Sequence, residues 1–289
     1  MALANGGEGR KVRIVIIGAG LGGLAAAYCF SHHGHDVEAS PYIISRNYSD
    51  KCYKQLHERK PAFEPKGGAI MIRSGASRFV KQWGLGEALE AVSDRSSTTV
   101  YRHSQTGEVL HERTPGNYSA FPDLGVNRSV AQKLFYKNAK RAGAKMVFGS
   151  TATELSEDHD GAEVTFDDGT KVKADLVLAA DGITSRMRPL IIGKDAGDPI
   201  LGEITAHQVE LPVDIMKQHP ETQSLIDTTN LTVWVGIGGY AVGRFHSKQQ
   251  TYNVINGMRT SDKDNPTLWD EVCSSSSLML SFVDSLNSR

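Results

Sequence analysis

Apolar runs and glycines near the start of the chain predict a strand, a turn and a helix. Val12 to Ile17 is a short run rich in β-branched residues, glycines follow it, and Leu24 to Tyr28 are mostly good helix formers. We expect Gly34 to end this helix and His35 to Ala39 to form the next strand, which stops before Pro41. Such an order is typical of an α/β fold.

Helical and β-type periods interleave along the rest of the chain. The predicted elements are, in chain order, a helix at 77–91 broken near Gly84 and Gly86, a hairpin of strands at 98–101 and 109–111, a helix at 126–142, a hairpin of strands at 162–166 and 171–173 around an Asp-Gly turn, and strands at 175–180, 231–235 and 240–245. A second, mostly antiparallel sheet is therefore expected within the α/β protein.

Charge and composition argue against two classes of partner. Lys plus Arg number 32 and Asp plus Glu 33, so no overall positive field attracts nucleic acid or an anionic membrane. Residues 1–11 are polar and Gly-rich, which predicts a flexible leader and a cytoplasmic location rather than export. Residues 14–30 carry no charge, yet the glycines in their middle favour a buried strand, turn and helix over a membrane span.

The residues that usually bind metals form no recognisable pattern. The three cysteines are far apart in the sequence, and the histidines at 32, 33 and 35 lack the spacing of a zinc site. We therefore predict no metal.

The glycine-rich turn after the first strand carries the clearest chemical signal. Gly18-Ala19-Gly20-Leu21-Gly22-Gly23 satisfies G-x-G-x-x-G directly between a strand and a helix. In such a turn Gly18 permits the tight bend, Gly20 lets the backbone approach a pyrophosphate, and Gly23 lets the helix lie close to the strand. The phosphates then meet free N–H groups at the positive end of the helix. The pattern predicts a dinucleotide site; a glycine-rich packing turn is the alternative.

A dinucleotide site also needs an acid about 20 residues further on, at the end of the second strand, to bind the ribose hydroxyls. Glu38 lies twenty residues after Gly18 but within the short predicted strand. Glu58 lies forty residues after Gly18, at the wrong distance but in a better local setting. Counting favours Glu38 and context does not, so the spacing leaves both open.

Five segments spread over about residues 12–270 carry a family resemblance. They are VIIGAGLGGLAAA, HERKPAFEPKGGAI, a helix with KQWGL, VNR at 126–128, and LVLAADGITSRMR. Together they resemble the class A flavoprotein monooxygenases, especially the salicylate-hydroxylase-like group common in fungi. The resemblance implies a Rossmann-like FAD-binding domain interleaved with a mostly antiparallel substrate-domain sheet. It identifies Asp181 with the family's Asp-Gly motif, which serves FAD and NAD(P)H and organises the neighbouring loop.

The resemblance also assigns three cofactor-binding residues. In the family the ribose-binding glutamate follows the second strand directly, and removing residues 39–55 would leave Glu58 only 23 positions after Gly18. Glu58 is therefore favoured, and residues 39–55 are interpreted as an apparent insertion. Gly68 matches a family loop whose backbone passes close to the flavin, with an ordinary loop as the alternative. Arg128 matches an arginine near the flavin's phosphate and ribitol, with an exposed, solvated arginine as the alternative.

The function implied by the resemblance is an FAD-dependent monooxygenase that hydroxylates a phenolic or other aromatic small molecule with NAD(P)H and O₂. Relatives that act on polyketide-derived phenols hold a phenolate with an arginine and, further along, a tyrosine. Gln208 stands where that arginine would fall and Tyr240 near the tyrosine. Tyr240 is thus the candidate catalytic residue, with a packing role as the alternative. The expected domains are an FAD-binding domain at 12–195, which includes a substrate-sheet hairpin near 98–111, and a partial substrate domain at 196–289.

Two alternatives stay open. Members of the family continue through a second Gly-Asp segment beside the flavin, and no such segment follows Trp269. A truncated, catalytically impaired flavoprotein is therefore the second hypothesis. An NAD-dependent dehydrogenase is the third, but it predicts an acid–base constellation that the sequence does not contain.

Overall fold

The computed structural model describes residues 12–34, 54–95, 98–114, 120–193, 202–236 and 239–259, together with residues 197 and 200. The predicted leader at 1–11 and the predicted strand at 35–39, which contains Glu38, lie outside these ranges. Two structural units divide the chain, the first drawn from residues 1–66 and 129–199 and the second from residues 67–128 and 200–289.

The described residues form sixteen strands, β1 to β16, which in chain order are Ile14–Ile17, Lys54–Glu58, Ala69–Ile72, Asp94–Arg95, Thr99–His103, Val109–Arg113, Leu124–Asn127, Lys145–Phe148, Ala152–Asp158, Gly161–Phe166, Lys171–Ala174, Leu176–Ala179, Ile204–Pro212, Leu231–Gly236, Gly239–His246 and Thr251–Arg259. Helices α1 to α7 are Leu21–His32, Ser74–Gln82, Gly86–Ala91, Arg128–Arg141, Met187–Ile192, Val213–Met216 and Gln223–Ile226, with a 3-10 turn at Pro220–Thr222. Within these ranges no helix combines the length and the apolarity that crossing a membrane requires.

A parallel sheet in the order β12-β1-β2-β8 organises the first unit. Every residue of β1 is buried, as expected of a central strand that is covered on both faces. On one face lies α1, which buries Leu24 and Ala27 completely. A core that includes Val15, Val164 and Phe166 joins β1 to the antiparallel sheet β11-β10-β9. Two predictions are thus confirmed: the Rossmann-like unit of strand, turn and helix, and the Asp-Gly hairpin.

The strand beside β1 is β2, at Lys54–Glu58, in the place where the sequence predicted a strand at 35–39. The predicted insertion at 39–55 therefore ends too late in the sequence, because its last two residues, Lys54 and Gln55, pair with Ile14 and Val15 inside the sheet. The pattern concealed this strand because Leu56 is its only apolar residue. Its buried polar side chains, Gln55 and His57, hydrogen-bond to each other instead.

A mostly antiparallel sheet in the order β13-β16-β15-β14-β5-β6 organises the second unit, and β3-β7-β4 form a smaller one. The predicted hairpin is present as β5 and β6, and β5 runs parallel to β14. The predicted division at 12–195 differs from the observed one, since all of 67–128 belongs to the second unit. The strands of this segment pair within the second unit, β3 with β7 and β5 with β14. The part of the chain that belongs to the second unit is therefore much longer than the one predicted hairpin.

Two predicted helices differ in detail from the structure. The helix predicted at 77–91 is confirmed as α2 and α3, with the expected break around Gly84. The helix predicted at 126–142 begins two residues later, at Arg128, because Val126 and Asn127 pair with Ile70 and Ala69 as the end of β7.

Candidate functional site

The glycine turn between β1 and α1 is built so that two of its glycines are required by packing and two are open. Gly18 has φ +107°, in the region that favours glycine, and a Cβ there would lie 2.7 Å from the Ala180 carbonyl carbon. A Cβ on Gly23 would overlap the carbonyl oxygen of Gly18. A Cβ on Gly20 or Gly22 would meet no atom within 4 Å. The turn thus packs tightly inward and presents bare backbone outward.

The same turn exposes the amino end of α1. Gly20 precedes the helix and supplies no side-chain cap, and the first intrahelical hydrogen bond runs from Leu24 N to Gly20 O at 3.0 Å. By helix geometry the N–H groups of Leu21, Gly22 and Gly23 have no intrahelical acceptor. Together with the helix dipole they form an end that attracts an anion such as a phosphate.

Glu58 ends β2 and is tied to the glycine turn. Its Oε2 accepts a hydrogen bond from the Ala19 N–H at 2.8 Å, and its Oε1 accepts one from the Lys60 N–H at 3.0 Å. Each carboxylate oxygen keeps a further lone pair for a ligand hydroxyl. The carboxylate therefore has the position that a ribose-binding acid requires, at the end of the strand next to β1.

Asp181 follows β12 and lies beside the turn, since the Ala180 N–H donates to the carbonyl oxygen of Ile17 at 2.8 Å. Its Oδ1 accepts from Ser185 Oγ at 2.6 Å. Its Oδ2 accepts from the N–H groups of Arg186 and Met187 at 2.8 and 3.1 Å. The carboxylate thus caps the start of α5 and holds the loop that precedes it.

A cleft in the first unit joins these groups at the carboxyl ends of the parallel strands. It encloses about 90 Å³, against the roughly 10–15 Å³ that one water molecule needs, so it is large enough for part of an organic ligand. Its lining includes Gly18, Glu58 and Asp181, which the sequence analysis predicted, and also His57 and Ser150, which it did not.

His57 is a buried, neutral side chain in this cleft. Its ring stacks on Phe166 with centroids 3.9 Å apart, Nε2 lies 2.6 Å from Gln55 Oε1, and Nδ1 lies 2.9 Å from Ser150 Oγ. Burial lowers the pKa of His57 from 6.5 to about 4, an effect that the nearby Asp168 carboxylate opposes only weakly. Adjacency to Glu58 was the only sequence signal for His57, and there was none for Ser150.

Two arginines give the rim of the cleft a positive charge. Arg59 and Arg186 are exposed and contribute to its lining. Neither guanidinium forms an ion pair with another residue in the described ranges. These two positive charges offset the two negative charges of the Glu58 and Asp181 carboxylates in the same lining.

Gly68 and Arg128 lie in the second unit, where the Arg128 N–H donates to the Gly68 carbonyl oxygen at 2.7 Å. The side chain of Gln208 bonds this loop through its Nε2, which donates to the Ala69 carbonyl oxygen at 3.1 Å. A Cβ on Gly68 would lie 2.5 Å from that Nε2. A side chain at position 68 would therefore have to displace the Gln208 amide. The guanidinium of Arg128 is exposed and makes no hydrogen bond to another described residue.

Tyr240 lies on the same face of the six-stranded sheet as Gln208. Gln208 is opposite Ile255, Ile255 is opposite Val242, and Tyr240 is two residues from Val242 along β15. The Tyr240 ring lies over Gly257, where a Cβ would be 2.5 Å from a ring carbon. Tyr240 is half-buried, and its hydroxyl has no hydrogen-bond partner among the described residues.

Comparison with known proteins gives a consistent result. A family model described as "FAD binding domain" matches residues 11–277. Asperlicin C monooxygenase of Petromyces alliaceus is 34% identical over 185 residues, which cover 63% of this chain and 36% of that protein. The 6-hydroxynicotinate 3-monooxygenase of Pseudomonas fluorescens is 27% identical over 208 residues, which cover 71% of this chain and 49% of that protein. The chain thus spans half or less of the length of these curated relatives.

Solved structures agree on the fold. CtdE in complex with FAD and a substrate superposes with a TM-score of 0.73 at 21% identity, covering 88% of this chain and 58% of that one. FqzB superposes with a TM-score of 0.67 at 20% identity, covering 89% of this chain and 56% of that one. At these identities the likeness concerns the fold alone.

Proposed function

Because this chain belongs to the FAD binding domain family, whose cofactor is FAD, we propose that it is an FAD-dependent monooxygenase that hydroxylates an aromatic small molecule. The overall reaction takes an aromatic C–H compound, NAD(P)H, a proton and O₂, and yields the phenol, NAD(P)⁺ and water. The proposed location is the cytoplasm, where NAD(P)H is available as the reductant.

One observation carries the cofactor assignment: the Glu58 carboxylate is held by the Ala19 N–H at 2.8 Å, directly beside the uncapped start of α1. This arrangement fits an adenine dinucleotide, because the helix end and the open Gly20 suit a pyrophosphate while the carboxylate suits a ribose. Asp181 would keep the neighbouring loop in place through its hydrogen bonds to the start of α5. In the second unit, Gly68 and Arg128, whose guanidinium makes no hydrogen bond to another described residue, are the proposed contacts to the flavin end.

Bound FAD would supply the redox chemistry, which takes electrons from NAD(P)H and activates O₂, and no protein side chain supplies this. The chain's own residues hold and orient the reactants. Tyr240 is the proposed substrate-binding residue, because it is half-buried and its hydroxyl can donate a hydrogen bond to a phenolate oxygen. Gln208 would hold a phenolate less firmly than an arginine would, since its amide can donate hydrogen bonds but supplies no charge.

The proposed substrate class is an aromatic ring that carries an ionisable hydroxyl. Its support comes from Tyr240 and from the names of two relatives, a 6-hydroxynicotinate 3-monooxygenase and an FAD-dependent urate hydroxylase. Both 6-hydroxynicotinate and urate therefore serve as first probes. The choice between NADH and NADPH is tested with the same probes.

Purification of the full chain with added FAD tests the proposal. We expect a yellow protein that oxidises NAD(P)H faster when a substrate probe is present, and that places one atom of ¹⁸O₂ in the product seen by mass spectrometry. A Tyr240→Phe variant should bind FAD normally and hydroxylate about tenfold more slowly, the effect of losing one hydrogen bond to a charged group. A colourless protein would contradict the proposal. NAD(P)H oxidation that yields only hydrogen peroxide would instead indicate a flavoprotein without hydroxylase activity.

A further inference from the structure

Two consecutive hydrogen bonds connect the interior of the first unit to the wall of the cleft. It runs from Gln55 Oε1 to His57 Nε2 at 2.6 Å and from His57 Nδ1 to Ser150 Oγ at 2.9 Å. Gln55 and His57 are buried, and the His57 ring stacks on Phe166 with centroids 3.9 Å apart. Ser150, the last residue of these hydrogen bonds, lines the cavity.

The direction of these hydrogen bonds follows from the chemistry of the partners. The amide oxygen of Gln55 has no proton to give, so His57 Nε2 must be the donor in that contact. The imidazole is neutral because burial lowers its pKa to about 4, so Nδ1 carries no proton and is an acceptor. The Ser150 hydroxyl must then donate to Nδ1. Because this hydroxyl proton is used, Ser150 Oγ can only accept a further hydrogen bond, and Ser150 lines the cavity.

We propose that Ser150, oriented by His57, is a hydrogen-bond acceptor that recognises the amino group of adenine in the bound cofactor. This inference rests on the proposed function, since it concerns the adenosine half of FAD. Ser150 would be a binding residue, and His57 a positioning residue that acts through it.

The order of the strands favours the base over the ribose as the partner of Ser150. The phosphate-binding turn follows β1, Glu58 ends β2, and Ser150 comes two residues after β8, on the far side of β2. Strands in a sheet lie about 4.8 Å apart. A nucleotide that crosses the strand ends would therefore place its phosphate, ribose and base in that order. Because the Ser150 N–H donates to the Glu58 carbonyl oxygen at 3.0 Å, the base site directly adjoins the ribose site.

Binding of ADP, inosine diphosphate and 2′-deoxy-ADP to the cofactor-free full chain tests the assignment. Hypoxanthine carries an oxygen acceptor where adenine carries the amino donor, so wild type should bind ADP roughly fivefold to tenfold more tightly than inosine diphosphate. In Ser150→Ala this ratio should fall to about one. The ratio of ADP to 2′-deoxy-ADP should not change, because the ribose contact belongs to Glu58. An unchanged preference for ADP over inosine diphosphate overturns the proposal, and so does a change confined to 2′-deoxy-ADP.

Two variants of His57 test its positioning role. His57→Phe keeps an aromatic ring against Phe166 but frees the Ser150 hydroxyl to donate, so inosine diphosphate should bind more tightly than it does to wild type. A merely structural defect would weaken both nucleotides. In His57→Asn the amide oxygen can replace Nδ1 as the acceptor and should restore the preference for ADP. If His57→Phe weakens both ligands equally, the positioning role is wrong.

Histidine ¹⁵N chemical shifts check the tautomer without any ligand. The Nε2–H form of His57 is expected at neutral pH, and the Nδ1–H form would overturn the assignment of Ser150 as an acceptor. The failure of this inference can be told apart from that of the proposed function. If the wild-type protein binds neither FAD nor ADP, the cofactor site as a whole is refuted. If it binds FAD but does not prefer ADP to inosine diphosphate, only the role of Ser150 is refuted.

Discussion

Substitution of Gly23 by alanine is the sharpest test of how the glycine turn is built. A Cβ at this position would overlap the carbonyl oxygen of Gly18 and lie 3.4 Å from the Ala180 side chain. The obstructing atom belongs to the backbone and cannot rotate away, so α1 must move relative to β1. Gly22, the preceding residue in the same helix, has no atom within 4 Å of its would-be Cβ and is the matched control.

The two alanine variants should shift stability in opposite directions. Alanine gains up to about 1 kcal/mol over glycine inside a helix, and at the open Gly22 this gain should appear in full. At Gly23 the same gain is outweighed by overpacking, which costs about 1–3 kcal/mol and more where the backbone must move. We therefore expect Gly23→Ala to lower the free energy of unfolding by about 2 kcal/mol, which makes the two variants differ by roughly 3 kcal/mol.

Urea denaturation followed by circular dichroism measures this difference, and equal slopes of free energy against urea for both variants would show that the same transition is compared. FAD titration adds a second measure, because a displaced α1 moves the N–H groups that are proposed to bind the phosphates. Gly23→Ala should therefore bind FAD more weakly than wild type. The reasoning is refuted if Gly23→Ala is as stable as Gly22→Ala.

Three further predictions follow from the hydrogen bonds and burial described above. Glu58→Ala should weaken FAD binding about 10- to 100-fold in calorimetric titration, because charge-assisted hydrogen bonds to the ribose are lost; Glu64→Ala, which removes only an exposed acid paired with lysines, should bind FAD like wild type. Asp181→Ala should lower the free energy of unfolding by about 1–2 kcal/mol in urea, the usual cost of losing a helix cap, and an unchanged value would count against the capping role. His246, at the end of β15, is buried like His57. Burial lowers the pKa values of both histidines to about 4, so the protein should become less stable as the pH falls from 6.5 to 4. In that window the unfolded state binds more protons than the folded state, so stability rises with pH, by at most about 3 kcal/mol for each histidine. Melting temperatures of wild type and His57→Phe measured across this pH range check the direction of the change in stability. A wild-type melting temperature that does not fall below pH 6.5 contradicts the prediction.

Local patterns determined much of the fold in advance. The β-branched run at 12–17, the glycines and the small residues of α1 predict a strand, turn and helix from neighbours in the chain, as does the Asp-Gly hairpin between β10 and β11. The break between α2 and α3 also follows from local glycines. Each of these predictions depends on residues within one turn or one hairpin, where periodicity and backbone preference act directly.

The glutamate of the site shows where the sequence ceases to decide. Counting from the glycine turn leads to Glu38, whereas the family resemblance favours Glu58; strand pairing places Glu58 at the end of the strand beside β1. The strand itself was hidden, because the polar side chains of Gln55 and His57 are buried by satisfying each other rather than by being apolar.

By itself, then, the sequence determined the glycine turn, the helix that follows it, the Asp-Gly loop and the family to which they point. Only the tertiary structure decided that β2 lies at Lys54–Glu58, that 67–128 belongs to the second unit, and that Ser150 Oγ lies 2.9 Å from His57 Nδ1. The physical reason is distance along the chain. Turns and helix starts are governed by adjacent residues, whereas sheet register and buried hydrogen bonds join residues such as His57 and Ser150, which are 93 positions apart.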